Sequence, residues 1–383
     1  MPELLDQLTV EELAAAIDAD EDLTVIDTRP PESFDAWHVP GAVNIPYHPI
    51  EGLGDGHDWA DVEAIAAAGP TAIICGKGLS STSFGFELGS RGQDVKVVKG
   101  GMEDWSKLYD VVEIETEGNL FLAQIQRRAK GCLGYVVGDR AAGKALAVDP
   151  TRQSHEFELL AADAGMVVDG VVDTHIHADH LSGGRTLADR CDVPYYLSET
   201  AEERGVTYEY KPIADGETLS VGDVDVEVLA APGHTTDLVN LLVDGRYLLS
   251  ADALFVESVG RTELEFGEGG AERGAELLYE TLHERYAPLE DDVVVLPGHV
   301  SVDADGRFGA GKPGELVAAP LGDLRAELEL FSLDRSAFVD RVSGQTSEKP
   351  PNYEVVIDAN RGILDLEEEE ATGLELGPNN CAV

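Results

Sequence analysis

The run Thr174-His175-Ile176-His177-Ala178-Asp179-His180 constrains this chain more than any other stretch of it. It follows directly on the apolar β run Val167 to Asp173. Three further segments repeat the arrangement: Pro232-Gly233-His234 after Val224 to Ala230, Asp252 after Arg246 to Leu249, and Pro297-Gly298-His299 after Asp292 to Leu296. Loops at strand ends can converge on one point, so the pattern requires a fold that ends several strands at a common edge. A lone histidine is usually a satisfied core or surface residue. Imidazoles and carboxylates drawn from four segments are hard to explain that way, because neutral imidazoles and carboxylates together form mixed nitrogen and oxygen sites for zinc or iron. No cysteine lies in these loops to favour a closed structural zinc site, so the expected centre is open and catalytic. Asp173, Asp179 and Asp237 lie close in sequence to these residues, and one of them is expected to orient a ring nitrogen rather than bind the ion.

A chain of 383 residues exceeds what one hydrophobic core usually serves, and 43% apolar residues suffice for two domains. Thr9 and Glu12 form a capping-box start for a helix towards Ile17, and Leu23 to Ile26 reads as a short buried strand ending at Asp27. Thr71 to Ile74 reads as a strand ending at Cys75, Ser81 to Leu88 as a helix, Val95 to Val98 as a strand and Gly100-Gly101 as a turn. This alternation predicts a central parallel sheet flanked by helices over residues 1–108. Residues 109–120 are acidic without periodicity over Val111 to Asn119 and read as a linker. Many short β runs follow over 121–311, among them Leu238 to Val243 and Arg246 to Leu249 around Asp244-Gly245, a type I′ hairpin signal. Residues 312–383 read as a helical extension, Leu316 to Phe331, and a tail rich in turn residues from Lys349.

Cys75-Gly76-Lys77-Gly78-Leu79-Ser80-Ser81 lies between a strand and a helix. Backbone N–H groups and the positive end of the helix dipole would surround the sulfur, an environment that lowers a thiol pKa and can hold an anionic persulfide. A small buried hydrophobe at the end of a core strand explains Cys75 on its own equally well. Cys132, in a strand-like run, and Cys191, beside a helix end, read as core residues, and Cys381 lies on a tail with nothing nearby to activate it.

Asp27-Thr28-Arg29, Phe34, His38-Val39-Pro40-Gly41-Ala42-Val43-Asn44-Ile45, the Cys75 loop, Gly100-Gly101-Met102 and Trp105 occur in order, and residues 7 to 108 thereby resemble the rhodanese domain. The resemblance implies that Cys75 cycles between thiolate and persulfide within a loop formed by Gly76, Lys77, Gly78, Leu79, Ser80 and Ser81. Rhodanese loops commonly carry arginine, whereas Lys77 is the sole cation of this one, which favours a low-molecular-weight persulfide over thiosulfate as sulfur donor or acceptor.

His-x-His-x-Asp-His at 175–180, the two Gly-His pairs and Asp252 resemble the metallo-β-lactamase superfamily across roughly Phe121 to Gly311. That resemblance implies an αββα sandwich with the metal at one sheet edge. Ala251-Asp252-Ala253-Leu254-Phe255 and Gly260-Arg261-Thr262 resemble the persulfide dioxygenases, which are similar to glyoxalase II but use one iron. The implied ligands of a mononuclear Fe(II) are His175, His234 and Asp252. His177, Asp179, His180 and His299 would line the pocket, and Arg261 would contact an anionic substrate. The implied reactants are a small thiol persulfide and O2, with sulfite or thiosulfate as product. In the hydrolase relatives the same four lining residues help to hold two metals, so two zinc ions and thioester hydrolysis stay open as the alternative. Glu263 stands where the dioxygenases tend to have Asp.

Asp plus Glu number 74 against 27 Lys plus Arg, a formal net charge of -47 spread along the whole chain. Such self-repulsion is tolerated where abundant counterions screen it, so the composition is that of a halophilic protein, and nucleic acid and anionic membranes are poor partners. Glu367 to Glu370 form a denser run, expected as an exposed strand or tail segment without a function. Four scattered cysteines do not make a disulfide framework, and neither a signal peptide nor a membrane-length apolar run is visible, so a cytoplasmic protein is expected. A homo-oligomer is compatible with the sequence, which does not fix the assembly state.

Overall fold

Burial of the short apolar runs Thr24–Asp27, Thr71–Ile74 and Val95–Val98 builds the centre of the first sheet. The computed structural model describes residues 5–266, 270–344, 349 and 352–377. The five strands lie in the order Asp6–Leu8, Val95–Val98, Thr71–Ile74, Thr24–Asp27, Val43–Asn44, and every pairing is parallel. Helices cover both faces: Leu13, Ile74 and Trp105 belong to the core on one side, Ile26, Phe84 and Leu88 to that on the other. Thr9 and Glu12 make the expected reciprocal capping box, and the helix after Cys75 runs from Ser80 to Ser90.

The second part is a sandwich of a seven-stranded and a six-stranded sheet. Leu122, Tyr135 and Val137 of one sheet meet Val226, Leu241 and Leu249 of the other in a continuous core. Helices close the two outer faces, with Phe157 and Leu187 packed on the first sheet and Leu278 and Leu282 on the second, which completes the αββα layering. The Asp244-Gly245 turn has φ of 48° and 65°, and the Arg246 N–H donates to the Val243 carbonyl across it, the geometry a type I′ turn demands.

Three expectations are corrected. Residues 109–120 are not wholly a linker: Tyr109–Ile114 is the edge strand of the seven-stranded sheet, antiparallel to Leu120–Arg127. Its acidic residues hid the strand, yet charge on an edge strand is a common device against unwanted pairing. Leu316 to Phe331 is not one helix, because Pro320 caps a shorter one at Leu321–Glu327, followed by a 3-10 turn at Glu329–Ser332. The stretch after Lys349 contains the helices Tyr353–Asn360 and Glu368–Leu374, and Glu367 with Glu370 forms a capping box at the start of the second. Negative charge in the first helical turn complements the helix dipole, which accounts for the acidic run.

The two parts touch. Arg128 donates to Asp18 of the first domain and to Asp110, Ala129 packs in the first domain's core, and the His38 N–H donates to the Ala304 carbonyl. Lys77 of the cysteine loop reaches Glu369 at 3.3 Å.

Candidate metal centre and cysteine loop

Strands of both sheets end at one edge, and the loops leaving them carry the expected histidines and aspartates. His175, His177, Asp179 and His180 follow Val167–Val172, His234 follows Val224–Ala230, Asp252 follows Tyr247–Ala251, and His299 follows Val294–Pro297. All are buried. They fall into three groups, each with its potential ligand atoms within 4.8 Å of one another: His175, His234 and Asp252; Cys132, Asp179, His180 and His299; Asp149, Asp173 and His177.

In the first group, Nδ1 of His234 lies 2.7 Å from the Arg261 carbonyl, which fixes the ring and turns Nε2 inward. His175 Nδ1 meets the Thr174 hydroxyl at 3.0 Å. Asp252 Oδ2 stands 3.6 Å from His234 Nε2 and 3.9 Å from His175 Nε2, and none of these three inward atoms has a hydrogen-bond partner among the described residues. Leaving buried polar atoms unsatisfied costs ~1–3 kcal/mol each. Two ligand atoms about 2.0–2.2 Å from one ion lie roughly 3–4 Å apart, so this donor set fits a metal ion. Burial and the neighbouring His177 and His234 hold the His175 pKa well below the usual histidine value, which keeps the ring neutral as a ligand must be. Burial opposes charge on Asp252, but His299 outweighs it and keeps the carboxyl below its usual range.

The second group is knit by hydrogen bonds. His299 engages both ring nitrogens, Nδ1 with Asp252 Oδ1 at 2.6 Å and Nε2 with Asp179 Oδ2 at 2.9 Å, and the same Asp179 oxygen meets His180 Nδ1 at 3.0 Å. Cys132 Sγ lies 3.6 Å from it. Burial pushes that thiol up, but the charge of His180 and hydrogen bonds from His180 and His299 bring it down to about 6. In the third group Asp149 Oδ1 contacts His177 Nε2 at 3.2 Å while Asp149 also accepts from Thr174, so His177 Nδ1 is the ring atom left facing inward. Asp149 orients that ring, while Asp179, one of the three aspartates expected to orient a ring nitrogen, does so for His180 and His299. Asp173 instead accepts from Ser182 and Tyr195, and Asp237 accepts from the Ile176 N–H and from Arg204.

Arg261 does not present its side chain at a surface. Its guanidinium is fully buried and paired with Glu263, so the longer carboxylate of Glu263 serves as its partner. Arg261 also gives the centre its carbonyl, on His234.

Cys75 is buried at the end of Thr71–Ile74, with the Gly78 N–H donating to Sγ at 3.1 Å and the Ser81 hydroxyl 3.2 Å away. Burial pushes the thiol up, but hydrogen bonds from the Ser80 and Ser81 hydroxyls and from the Ser81 and Lys77 backbone more than offset it, and the net pKa is lowered. Gly100 and Gly101, at φ of 70° and 63°, let the next turn approach: a Cβ on Gly101 would stand 2.1 Å from the Cys75 carbonyl. Lys77 is exposed, and its charge is offset by Glu369 at 3.3 Å and Glu103 at 3.8 Å. A cavity of about 600 Å³ opens beside the loop, lined by Arg29, Tyr47, His48, Gly76 and Ser80.

Comparison with known proteins bears on both halves. The model of the metallo-beta-lactamase superfamily matches residues 129–299, and that of the rhodanese-like domain matches residues 9–108. A hydroxyacylglutathione hydrolase of Polaromonas is 30% identical over 189 residues, 48% of this chain and 68% of that protein. This chain belongs to the metallo-β-lactamase superfamily. The mitochondrial persulfide dioxygenase ETHE1 of Bos taurus is 30% identical over 167 residues, 43% of this chain, and the match spans 62% of that relative's length. A metallo-beta-lactamase from Staphylococcus aureus shares the fold, with a TM-score of 0.58 at 24% identity over 66% of this chain and 75% of its own.

Residues beyond the metallo-β-lactamase match also shape the centre, and sequence reading missed them. Asn360 and Glu375 belong to the C-terminal segment read as a tail, and both bond the backbone of the His177–Ser182 loop. Cys132 reads from sequence as a core residue because nothing local marks a strand cysteine as facing a histidine. The Cys132–His299 β-bridge that brings them together is visible only in the fold. Cys191 is half-buried with its thiol pushed up by burial and Glu158, and Cys381 lies outside the described residues.

Proposed function

We propose that this protein oxidises the terminal sulfur of a low-molecular-weight thiol persulfide to sulfite at a mononuclear iron held by His175, His234 and Asp252, and moves sulfane sulfur through Cys75. The observation that carries this reading is the triad itself: His175 Nε2, His234 Nε2 and Asp252 Oδ2 face one another within 4.8 Å and lack hydrogen-bond partners among the described residues. His177 Nδ1 and His180 Nε2 are likewise unpartnered there, but His299 engages both ring nitrogens in hydrogen bonds. Two histidines and one carboxylate form a facial set with open positions, and an iron ion held there supplies the electron transfer that O2 chemistry on a persulfide needs. Around it, Asp149 holds the His177 ring, Asp179 ties His180 to His299, and the Arg261 carbonyl fixes His234. The overall stoichiometry is RSS⁻ + O2 + H2O → RS⁻ + SO3²⁻ + 2H⁺, in which the sulfane sulfur gives up the four electrons that O2 accepts.

At the other site the Gly78 N–H and the Ser81 hydroxyl hold a Cys75 thiolate, and the adjoining cavity of about 600 Å³ has room for a small thiol. A Cys75 persulfide supplies sulfur to the oxygenase substrate, or passes it to sulfite with the S–S bond breaking at Cys75 and thiosulfate leaving. The shared intermediate and the covalent linkage raise the local concentration of one site's product at the other. The net charge of -47 supports a halophilic setting, and a thermal midpoint that climbs with added KCl checks it; the free cysteines among the described residues fit a cytoplasmic one.

Iron-loaded protein given a thiol persulfide should consume one O2 per sulfite formed. Absence of O2 uptake removes the reading. The likeness to a hydroxyacylglutathione hydrolase and the second donor group, Asp179, His180 and His299, favour a binuclear zinc thioester hydrolase as the alternative, in which two zinc ions held by these residues would supply hydrolytic chemistry and the rhodanese half would only carry sulfur or bind a partner. Two zinc equivalents per chain with thioester cleavage would select it.

A further inference from the structure

The loop carrying His177, Asp179 and His180 is clamped from a distant part of the chain. Asn360, the last residue of the helix Tyr353–Asn360, donates from Nδ2 to the His177 carbonyl at 2.9 Å and to the His180 carbonyl at 2.8 Å, and its Oδ1 accepts from the Ser182 N–H at 2.9 Å. All three polar positions of one carboxamide are spent on six consecutive residues of the metal loop. The helix is itself anchored: Val356 packs with Leu181 and Ala371, and the Tyr208 hydroxyl donates to the Asn360 carbonyl at 2.7 Å. Glu375 adds a fourth bond, accepting from the Leu181 N–H at 3.2 Å.

We propose that Asn360 is a positioning residue of the metal centre, setting the backbone course of the His177–Ser182 loop and so the direction in which its side chains face the ion. Its carboxamide bonds the backbone of the loop rather than any of the candidate ligand atoms. A single group with two N–H bonds ties the carbonyls of His177 and His180 together, and an amide is the neutral side-chain group that can donate twice and accept once. Aspartate has nearly the same shape but donates nothing when ionised, and would set a carboxylate against two carbonyl oxygens.

The proposal rests on the metal reading of the centre and not on its reaction. It is tested with Co(II) and Zn(II) alone, by chelator competition and by the Co(II) absorption spectrum, on the full chain and on Asn360→Ala and Asn360→Asp. Partners that orient ligand residues typically alter metal affinity 10–100-fold, so both variants should lose roughly that much and show a changed Co(II) spectrum. Should the alanine variant fail to fold, as judged by circular dichroism, the near-isosteric aspartate variant carries the test. Native affinity and spectrum in Asn360→Asp would overturn the proposal, since space-filling alone would then suffice, and so would an unchanged Asn360→Ala. Failure of the parent chain to bind Co(II) or Zn(II) would overturn the metal reading and this proposal together. A failed O2-uptake assay with intact Co(II) binding would remove the dioxygenase reading and leave this one standing.

Discussion

Arg127 and Glu375 form an ion pair of 3.1 Å between groups each 1% exposed, although 248 residues separate them in sequence. Arg127 also donates from Nε to the Ser106 carbonyl, and Arg152 donates to the other Glu375 oxygen at 2.8 Å. One carboxylate thus joins the end of the first domain, an inner strand of the sandwich and the C-terminal segment.

Removing one partner of such a pair leaves an uncompensated buried charge, which costs ~3–5 kcal/mol. Glu375→Gln is therefore expected to lower the stability of the full chain by about that amount in denaturant unfolding. Burial pushes the Glu375 carboxyl up, but Arg127 and Arg152 outweigh it and hold the folded pKa below the ordinary value. The pair's contribution is therefore fully present above the unfolded carboxyl value, about 4.3, and fades as pH falls through the lower folded value. The gap between parent and Gln variant should close in that acidic window. A constant gap from pH 7 down to the acid limit would show that the pair's charge is not what stabilises the fold.

The Ser81 hydroxyl is one of the groups that lower the Cys75 pKa. Ser81→Ala should move the pH midpoint of iodoacetamide alkylation of Cys75 upward, towards that of an ordinary thiol, and slow the reaction several-fold at pH 7. Cys75→Ser should abolish sulfur transfer while leaving O2 uptake with a supplied thiol persulfide unchanged. An unshifted alkylation midpoint would remove Ser81 from the account.

Asp149 is expected to matter more than its place outside the recognised motifs suggests. It holds Nε2 of His177 at 3.2 Å and accepts from both the N–H and the hydroxyl of Thr174. Because the Thr174 hydroxyl in turn meets Nδ1 of the proposed ligand His175, Asp149→Asn should weaken metal binding by roughly 10–100-fold. Competition with a chelator followed by metal analysis measures it, and parental affinity in the variant would contradict the assignment.

The fold and the site differ in how much of them the sequence makes legible. Short buried strands such as Thr71–Ile74 announce themselves because both faces are covered, and the cap at Thr9 and the turn at Asp244-Gly245 are local chemistry. The edge strand Tyr109–Ile114 was hidden because half of it faces solvent and carries acidic residues. At the centre, the histidines stand out because each follows a strand in sequence. Asp149, Asn360 and Glu375 do not, because their roles are hydrogen bonds to backbone or ring atoms far along the chain, which leave no periodicity. The Cys132–Asp179 contact likewise spans 47 residues and two strands.

The clamp at Asn360 also has a temporal side. The ribosome completes the His177–Ser182 loop 178 residues before it makes the amide that holds it. A nascent chain thus carries its histidines and aspartates with those backbone bonds unmade, and an ion captured then meets a looser cage than the finished one. On that reading the cage tightens only once the C-terminal segment has docked, and a fragment cut at the end of the recognisable superfamily match would lack those bonds.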